Sequence, residues 1–295
     1  MRIIISSITL DRSGVPTYTL TLYRELISRG HSVFVYSPNL GELGEEMRAV
    51  NLLSGSEAPD VILAQHKTCA ISMRALFPDV PMILLTHGIQ PEEEQPPEIG
   101  MDYYLPVNEQ NAAHLIKLGV NPEKIDIARD FVDIREFRPT KPLSKDKPKI
   151  LFISNYKKWR AYQDITAACS QLGLEFKAVG SPYGRSRNVA EDINDADLVI
   201  SWGRGILEAM ACGRTAISYN KRMGAGYITP DVYMDNRGYN FGGVRSRYTF
   251  DLAGLIEEIK KYDPKDGVIN RALVARYHDS KRGVDQILDI VDGLL

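Results

Sequence analysis

A chain of 295 residues with 36 Lys plus Arg against 38 Asp plus Glu is long enough for two domains and has no global basic field to advertise a nucleic-acid partner. Its 44% hydrophobic and 25% charged content is that of a globular protein, and no apolar run approaches the roughly 20 residues of a membrane helix. Cys69, Cys169 and Cys212 are far apart, in apolar helix-like stretches, without CxxC or Cys/His spacing; this argues against a disulfide framework or zinc and for buried thiols in a reducing cytosol.

The chain opens on "MRIIISSITL", one basic residue and a short apolar run before Asp11 and Arg12, which reads as a first strand and not as a signal peptide. The expectation is a cytoplasmic protein that spans no membrane, with a peripheral association left open. In "VPTYTLTLYRELISRG", Leu20, Tyr23, Leu26 and Ile27 share one helical face and Gly30 ends the helix. "SVFVYS", "VILAQ", "MILLTH", "YYLPV" and "KIDIA" follow as strands, and their nearly unbroken apolar character predicts a parallel sheet covered on both faces. "RPTKPLSKDKPK", residues 138–149, has no hydrophobic period and reads as a linker. The alternation then restarts with "KILFIS", "EFKAVG", "DLVISW" and "TAISYN". Three helical stretches close the chain: "DLAGLIEEIKKY", "GVINRALVARYH" and "KRGVDQILDIVDGLL". This pattern predicts two doubly wound α/β domains, 1–140 and 141–280, with a C-terminal helix over 281–295 that could cross back to the first. Ligands of such sheets sit at the carboxyl ends of the strands.

Those ends carry the candidate chemistry. Ser13 and Gly14 precede a helix whose opening turn holds Val15 and Pro16; Gly14 lets backbone approach a ligand. His87 and Gly88 end an apolar strand, where a histidine can bond a sugar hydroxyl or move a proton. The acidic, proline-rich run after them reads as a solvated, mobile loop. Lys157, Lys158 and Arg160 crowd the start of a helix, where cations oppose the dipole and call for an anion. "AVGSPYG" offers a turn at the next strand end. "SWGRGILEAMACGRTAISYN" places Gly203, Arg204 and Gly205 before a helix read as carrying Glu208 in its first turn: an anion site with a carboxylate beside it, or a well-capped helix.

Several segments together resemble one family. "SGVPTYTLTLYRELISRGHSVFVYSP", "VNEQNAAHLIKLGVNPEKIDIARDFVDIREFRP", "ADLVISWGRGILEAMACGRTAIS" and "YHDSKRGVDQILDIVDGLL" are similar, in order, to the motifs of retaining GT-B glycosyltransferases of the family 4 type, across nearly the whole chain. The resemblance implies the GT-B fold, two Rossmann-like domains facing a cleft. It also implies transfer of a sugar from a nucleoside-diphosphate donor, UDP or GDP with UDP favoured, with retention of configuration, no required cofactor and no metal. Gly14 matches the second glycine of the family's Gly-Gly loop, near donor phosphate and acceptor, and Ser13 stands for the first, on the acceptor side. His87 matches a histidine contacting the donor sugar and is assigned a catalytic role with Arg160. The family's pyrophosphate-neutralising Arg and Lys fall on Asn155 and Arg160, with Lys157, Lys158 or Arg204 able to supply the charge lost at Asn155. Gly180, Ser181 and Pro182 match the loop lining the base. Trp202 and Gly203 lie near the family's Phe-Gly, Arg204 and Gly205 in the donor-sugar or phosphate region. Glu208 matches the second of two paired glutamates, the one that holds the ribose hydroxyls; the first would fall on Ile200.

The implied chemistry stabilises the departing phosphate, which takes the acceptor proton on the same face. "DFVD", Asp130 to Asp133, reads as structural. The acceptor stays open among a glycan, a lipid-linked glycan, a small molecule and a nucleic acid, the last because of the basic-aromatic "KKWR" and "GVRSRY". A nucleotide-sugar 2-epimerase, an inactive binding homologue and a nucleic-acid-modifying glycosyltransferase are the rival readings.

Overall fold

A computed structural model describes residues 1–51, 58–155, 160–186, 188–219, 223–246 and 251–295, with Arg160 described by its backbone alone. The chain divides into two units, Met1–Asp130 with Ser280–Leu295, and Phe131–Asp279.

Unit 1 begins with β1 (Arg2–Ser6), α1 (Gly14–Ser28), β2 (Ser32–Tyr36) and β3 (Val61–Gln65). It continues with α2 (Lys67–Leu76), β4 (Met82–Thr86), β5 (Tyr103–Pro106) and α3 (Glu109–Lys117). The sheet is wholly parallel in the order β2-β1-β3-β4-β5. Every residue of β3 and β4 is buried, as continuous apolar runs between two helix layers must be. "KIDIA" departs from expectation. It runs beside β5, donating Asp126 N–H to Tyr104 O (3.2 Å) and Ala128 N–H to Pro106 O (3.1 Å), but forms one isolated bridge instead of a ladder. The acidic run also departs from it: Glu92–Glu94 forms a 3-10 turn, and Glu94 is buried at 8% exposure.

Unit 2 opens with β6 (Ile150–Ile153), α4 (Arg160–Leu172), β7 (Phe176–Val179), α5 (Val189–Asn194), β8 (Leu198–Ser201) and α6 (Arg204–Ala211). Next come β9 (Thr215–Ser218), β10 (Gly226–Tyr227), α7 (Pro230–Asn236), α8 (Leu252–Lys260) and α9 (Asp266–Tyr277). The order is β10-β9-β8-β6-β7, all parallel except the short β10. Each sheet therefore reverses its strand order once, between β1 and β3 and between β6 and β8. In doubly wound sheets that reversal marks where ligands bind.

The division between the units falls at residue 130, before the proline-rich stretch, and residues 131–140 belong to unit 2. Two guanidiniums of unit 2 explain it. Arg271 donates to the carbonyls of Ile134 (2.8 Å), Phe137 (2.7 Å) and Ala211 (2.6 Å), and the fully buried Arg214 donates to Lys141 O, Ala196 O and Cys212 O. The stretch 138–149 has neither helix nor strand, yet it is fastened. Asn194 Oδ1 accepts Thr140 N–H, and the Asp197 carboxylate accepts the N–H groups of Ser144 and Lys149, all at 2.8 Å. The last helix, α10 (Ser280–Leu294), belongs to unit 1. It buries Val284, Ile287 and Val291 and is tied to α1 by Ser280 Oγ with Glu25 (3.1 Å) and by Arg29 with Asp285 (2.6 Å).

Candidate functional site

At the reversal in unit 2, Ser201 Oγ at the end of β8 donates to Ile153 O at the end of β6 (3.0 Å) and closes the gap between the two strands. Two glycines then bring backbone close. Gly180 has φ +127°, and a Cβ there would lie 1.9 Å from Ser154 O, so only glycine lets the 180–184 turn lie against the end of β6. A Cβ on Gly205 would meet Ser201 Oγ at 2.3 Å, so the first turn of α6 sits directly on β8. Gly203, at φ +56°, makes the turn between them.

Asn155, the residue in the place of a phosphate-binding arginine, is a clamp: its Oδ1 accepts the Ser181 N–H at 3.1 Å. Asn155, Gly180 and Ser181 are thus brought together. Pro182 lies inside the same turn, in which Tyr183 N–H reaches Gly180 O and Gly180 N–H reaches Gly184 O, both at 3.0 Å. The Tyr183 ring stacks on Tyr162 of α4 at 4.8 Å. Trp202 is half-buried. Arg160 is the first residue of α4. Lys157, Lys158 and Trp159 of the "KKWR" run, and Arg247 and Tyr248 of "GVRSRY", lie outside the described residues.

The structure corrects two readings of α6. Glu208 is the fifth helical residue, and no acidic residue occupies the first turn. Arg204 does not hold out its fork for a phosphate. It is buried at 7% exposure, its Nε donates to Glu208 Oε1 at 2.9 Å, and its Nη1 donates to Phe131 O. The i,i+4 spacing puts the two charges on one helical face, and burial with a hydrogen-bonded partner is what makes such a pair tolerable. Of the two aspartates of "DFVD", Asp130 is buried and Asp133 is held locally by Arg135. Burial pushes the Asp133 carboxyl up, but hydrogen bonds from the Arg135 guanidinium and backbone outweigh it and leave the group below its ordinary range.

The reversal in unit 1 is built from side chains. Gln65 ends β3 fully buried, and His66 follows with φ +73°, a strained value for a residue with a side chain. His66 Nδ1 accepts the Ile8 N–H at 3.3 Å, and its Nε2 faces Glu94 Oε1 at 3.8 Å. Burial lowers the His66 pKa below the ordinary 6.5 despite the neighbouring carboxylate. Glu94 Oε2 accepts two backbone N–H groups, His87 at 2.8 Å and Gly88 at 3.0 Å, and so fixes the loop that carries His87. The half-buried His87 ring meets Gln65 Oε1 through Nε2 at 3.1 Å and the edge of Tyr18 at 4.7 Å. Ser13 is the N-cap of α1 without a side-chain cap bond, and Gly14 opens the helix with no atom within 4 Å of where a Cβ would stand. Gln65, His66 and Glu94 were missed in the sequence. The only signal was an isolated glutamine in an apolar strand, and nothing local marks one glutamate of three in a row as the buried one.

Burial also pushes the thiols of Cys69, Cys169 and Cys212 up to about 12, which makes them inert. Among the described residues no group of His, Cys, Asp and Glu could hold a metal ion, and no helix is long and apolar enough to cross a membrane.

No protein-family profile matches the chain, and no curated protein is significantly similar to it. Solved structures are similar over its whole length. HepE of Anabaena, in complex with UDP and glucose, is 14% identical with a TM-score of 0.68, covering 99% of this chain and 100% of its own. Sucrose-phosphate synthase of Thermosynechococcus elongatus is 14% identical with a TM-score of 0.71, covering 99% and 98%. The UDP-GlcNAc 2-epimerase of Neisseria meningitidis, bound to UDP-GlcNAc, is 11% identical with a TM-score of 0.62, covering 99% of each chain. The likeness is one of fold. The chain has two Rossmann-like α/β domains, as GT-B glycosyltransferases and these epimerases do.

Proposed function

We propose that the protein is a glycosyltransferase of the retaining, family 4 type that takes its sugar from a nucleoside diphosphate donor, with UDP the favoured nucleotide. The observation that carries this reading is the glycine-forced packing at the unit 2 reversal. Gly180 and Gly205 leave no room for a side chain, so the 180–184 turn and the start of α6 present backbone at the ends of β6 and β8. Backbone N–H groups with a helix dipole behind them suit a pyrophosphate. The UDP and UDP-sugar complexes among the similar structures support the choice of nucleotide.

In this reading the N–H groups of Gly203, Arg204 and Gly205 receive the diphosphate, and the turn at Gly180, Ser181 and Pro182 lines the base. Glu208 binds the ribose hydroxyls, and Arg204 holds the Glu208 carboxylate in place; that role replaces direct phosphate binding. Arg160, with Lys157 and Lys158, stabilises the charge that grows on the departing β-phosphate. The phosphate then takes the proton of the acceptor hydroxyl on the face it leaves, which retains the configuration. In unit 1, Ser13 and Gly14 serve the acceptor side and His87 positions the sugar. A cytoplasmic location belongs to the same proposal, supported by the three buried thiols.

A thermal-shift panel of UDP, GDP, ADP and TDP on the wild type, Glu208→Ala and Arg160→Ala tests it. A nucleotide at a hundred times its dissociation constant stabilises by about 2.7 kcal/mol. The expected result is a shift with UDP in the wild type and in neither variant. No response to any nucleotide overturns the reading. Conversion of a UDP-sugar to its 2-epimer without acceptor replaces it with an epimerase.

A further inference from the structure

A chain of hydrogen bonds behind His87 ends on a backbone carbonyl, and it determines which nitrogen of the ring carries the proton. Thr19 Oγ1 lies 2.9 Å from Val15 O, Gln65 Nε2 lies 2.9 Å from Thr19 Oγ1, and His87 Nε2 lies 3.1 Å from Gln65 Oε1. The Thr19 hydroxyl has one hydrogen. Its shorter donor contact is to Val15 O, against 3.2 Å to Gln65 Oε1. Spending the hydrogen on Val15 leaves the hydroxyl oxygen to accept from the Gln65 amide. The Gln65 carbonyl then turns toward His87, and the ring must bring the hydrogen. That arrangement makes three hydrogen bonds.

Reversing the amide leaves its oxygen badly placed. Either Thr19 donates to that oxygen and abandons Val15, or Thr19 keeps Val15, the amide nitrogen reaches the hydroxyl from 3.2 Å, and the glutamine oxygen lies 2.9 Å from the hydroxyl oxygen with no hydrogen between them. Thr19 and Gln65 are both fully buried, so water relieves neither fault and the first arrangement wins. The ring is held from two other elements as well: Tyr18 of α1 meets it edge-on, and Glu94 fixes the backbone at His87 and Gly88.

We infer that Thr19 and Gln65 are positioning residues that hold His87 as the Nε2–H tautomer, which leaves Nδ1 as its accepting nitrogen. A ligand group that meets His87 at Nδ1 must then be a hydrogen-bond donor, a sugar hydroxyl and not a phosphate oxygen. This assignment of the ligand rests on the proposed function; the tautomer does not.

Histidine-selective 15N NMR on the full chain near neutral pH tests both halves, with the His87 signals assigned by their loss in His87→Gln. The wild type is expected to show Nε2 protonated, with a slowly exchanging Nε2–H. Gln65→Leu is expected to speed that exchange at least tenfold, and Gln65→Glu, which keeps an acceptor oxygen, to preserve the Nε2–H form. Thr19→Val, a nearly isosteric change one step further back, is expected to shift the tautomer ratio while amide dispersion shows an intact fold. A wild-type ring protonated at Nδ1 overturns the inference, as does an exchange rate and ratio that Gln65→Leu and Thr19→Val leave unchanged in folded protein.

Adding UDP-glucose is expected to move the Nδ1 resonance and adding UDP alone to leave it in place. An equal response to both overturns the hydroxyl assignment while the tautomer stands. Binding of neither overturns the proposed function and the hydroxyl assignment with it, and again leaves the tautomer result intact.

Discussion

The two sheets reverse their strand order in the same way and finish the reversal by opposite means. Unit 1 crowds it with side chains: Gln65 bonds His87, while His66 and Glu94 face one another and bond the backbone around them. Unit 2 strips side chains away with Gly180, Gly203 and Gly205, and its charged pair, Arg204 and Glu208, is buried within the unit. Repeating one topology does not repeat one chemistry. An edge of side chains is suited to choosing among hydroxyls by donor and acceptor, and an edge of backbone is suited to an anion of any orientation.

Removing one member of the buried pair is the strongest way to break this comparison. Glu208→Ala leaves the Arg204 charge buried without its carboxylate and is expected to cost about 3–5 kcal/mol in urea unfolding. The apolar double variant Arg204→Met with Glu208→Leu is expected to cost less than that single change, although it also abolishes the UDP response. Gly180→Ala comes next. Its Cβ meets a carbonyl at a positive φ, and strain with overpacking is expected to cost roughly 2–4 kcal/mol and to remove the UDP thermal shift.

A change in unit 1 sharpens the contrast. Glu94→Ala takes the acceptor from two N–H groups and is expected to cost about 1–3 kcal/mol while the UDP shift survives; loss of that shift would mean the two edges do not divide the work. The smallest effect concerns pH. Burial holds the His66 pKa below 6.5, so the unfolded chain binds the proton more readily than the native one. The stability this contributes is complete above that ordinary value and is lost as pH falls from it through the lower native value. Unfolding from about pH 8 to about pH 5 is expected to show a downward acid slope that flattens in His66→Gln.

Much of the backbone plan was legible. Apolar runs marked β1, β3, β4, β6, β8 and β9, because strands covered on both faces have no polar position to hide. The glycines at 180 and 203 stood out as turns, but Arg204 and Gly205, read as loop, are the first two residues of α6. The pairing of Arg204 with Glu208 was not legible, since a guanidinium four residues from a carboxylate serves a ligand or its neighbour according to burial alone. Nor was Glu94. It sits in a run of three glutamates, and only contact with His66 and the backbone of His87 and Gly88 separates it from Glu92 and Glu93.

The end of the first unit shows the same division. Composition placed the boundary at the proline-rich stretch, but Arg214 and Arg271 bind carbonyls between residues 134 and 141 and carry that segment into unit 2. These contacts join residues far apart in the chain. Local pattern determined which segments become strands and helices, because periodicity and turn chemistry act over a few residues. Tertiary structure alone decided which polar groups are buried, which partners they meet and which nitrogen of His87 holds its proton, because desolvation and hydrogen-bond satisfaction depend on what packs nearby in space.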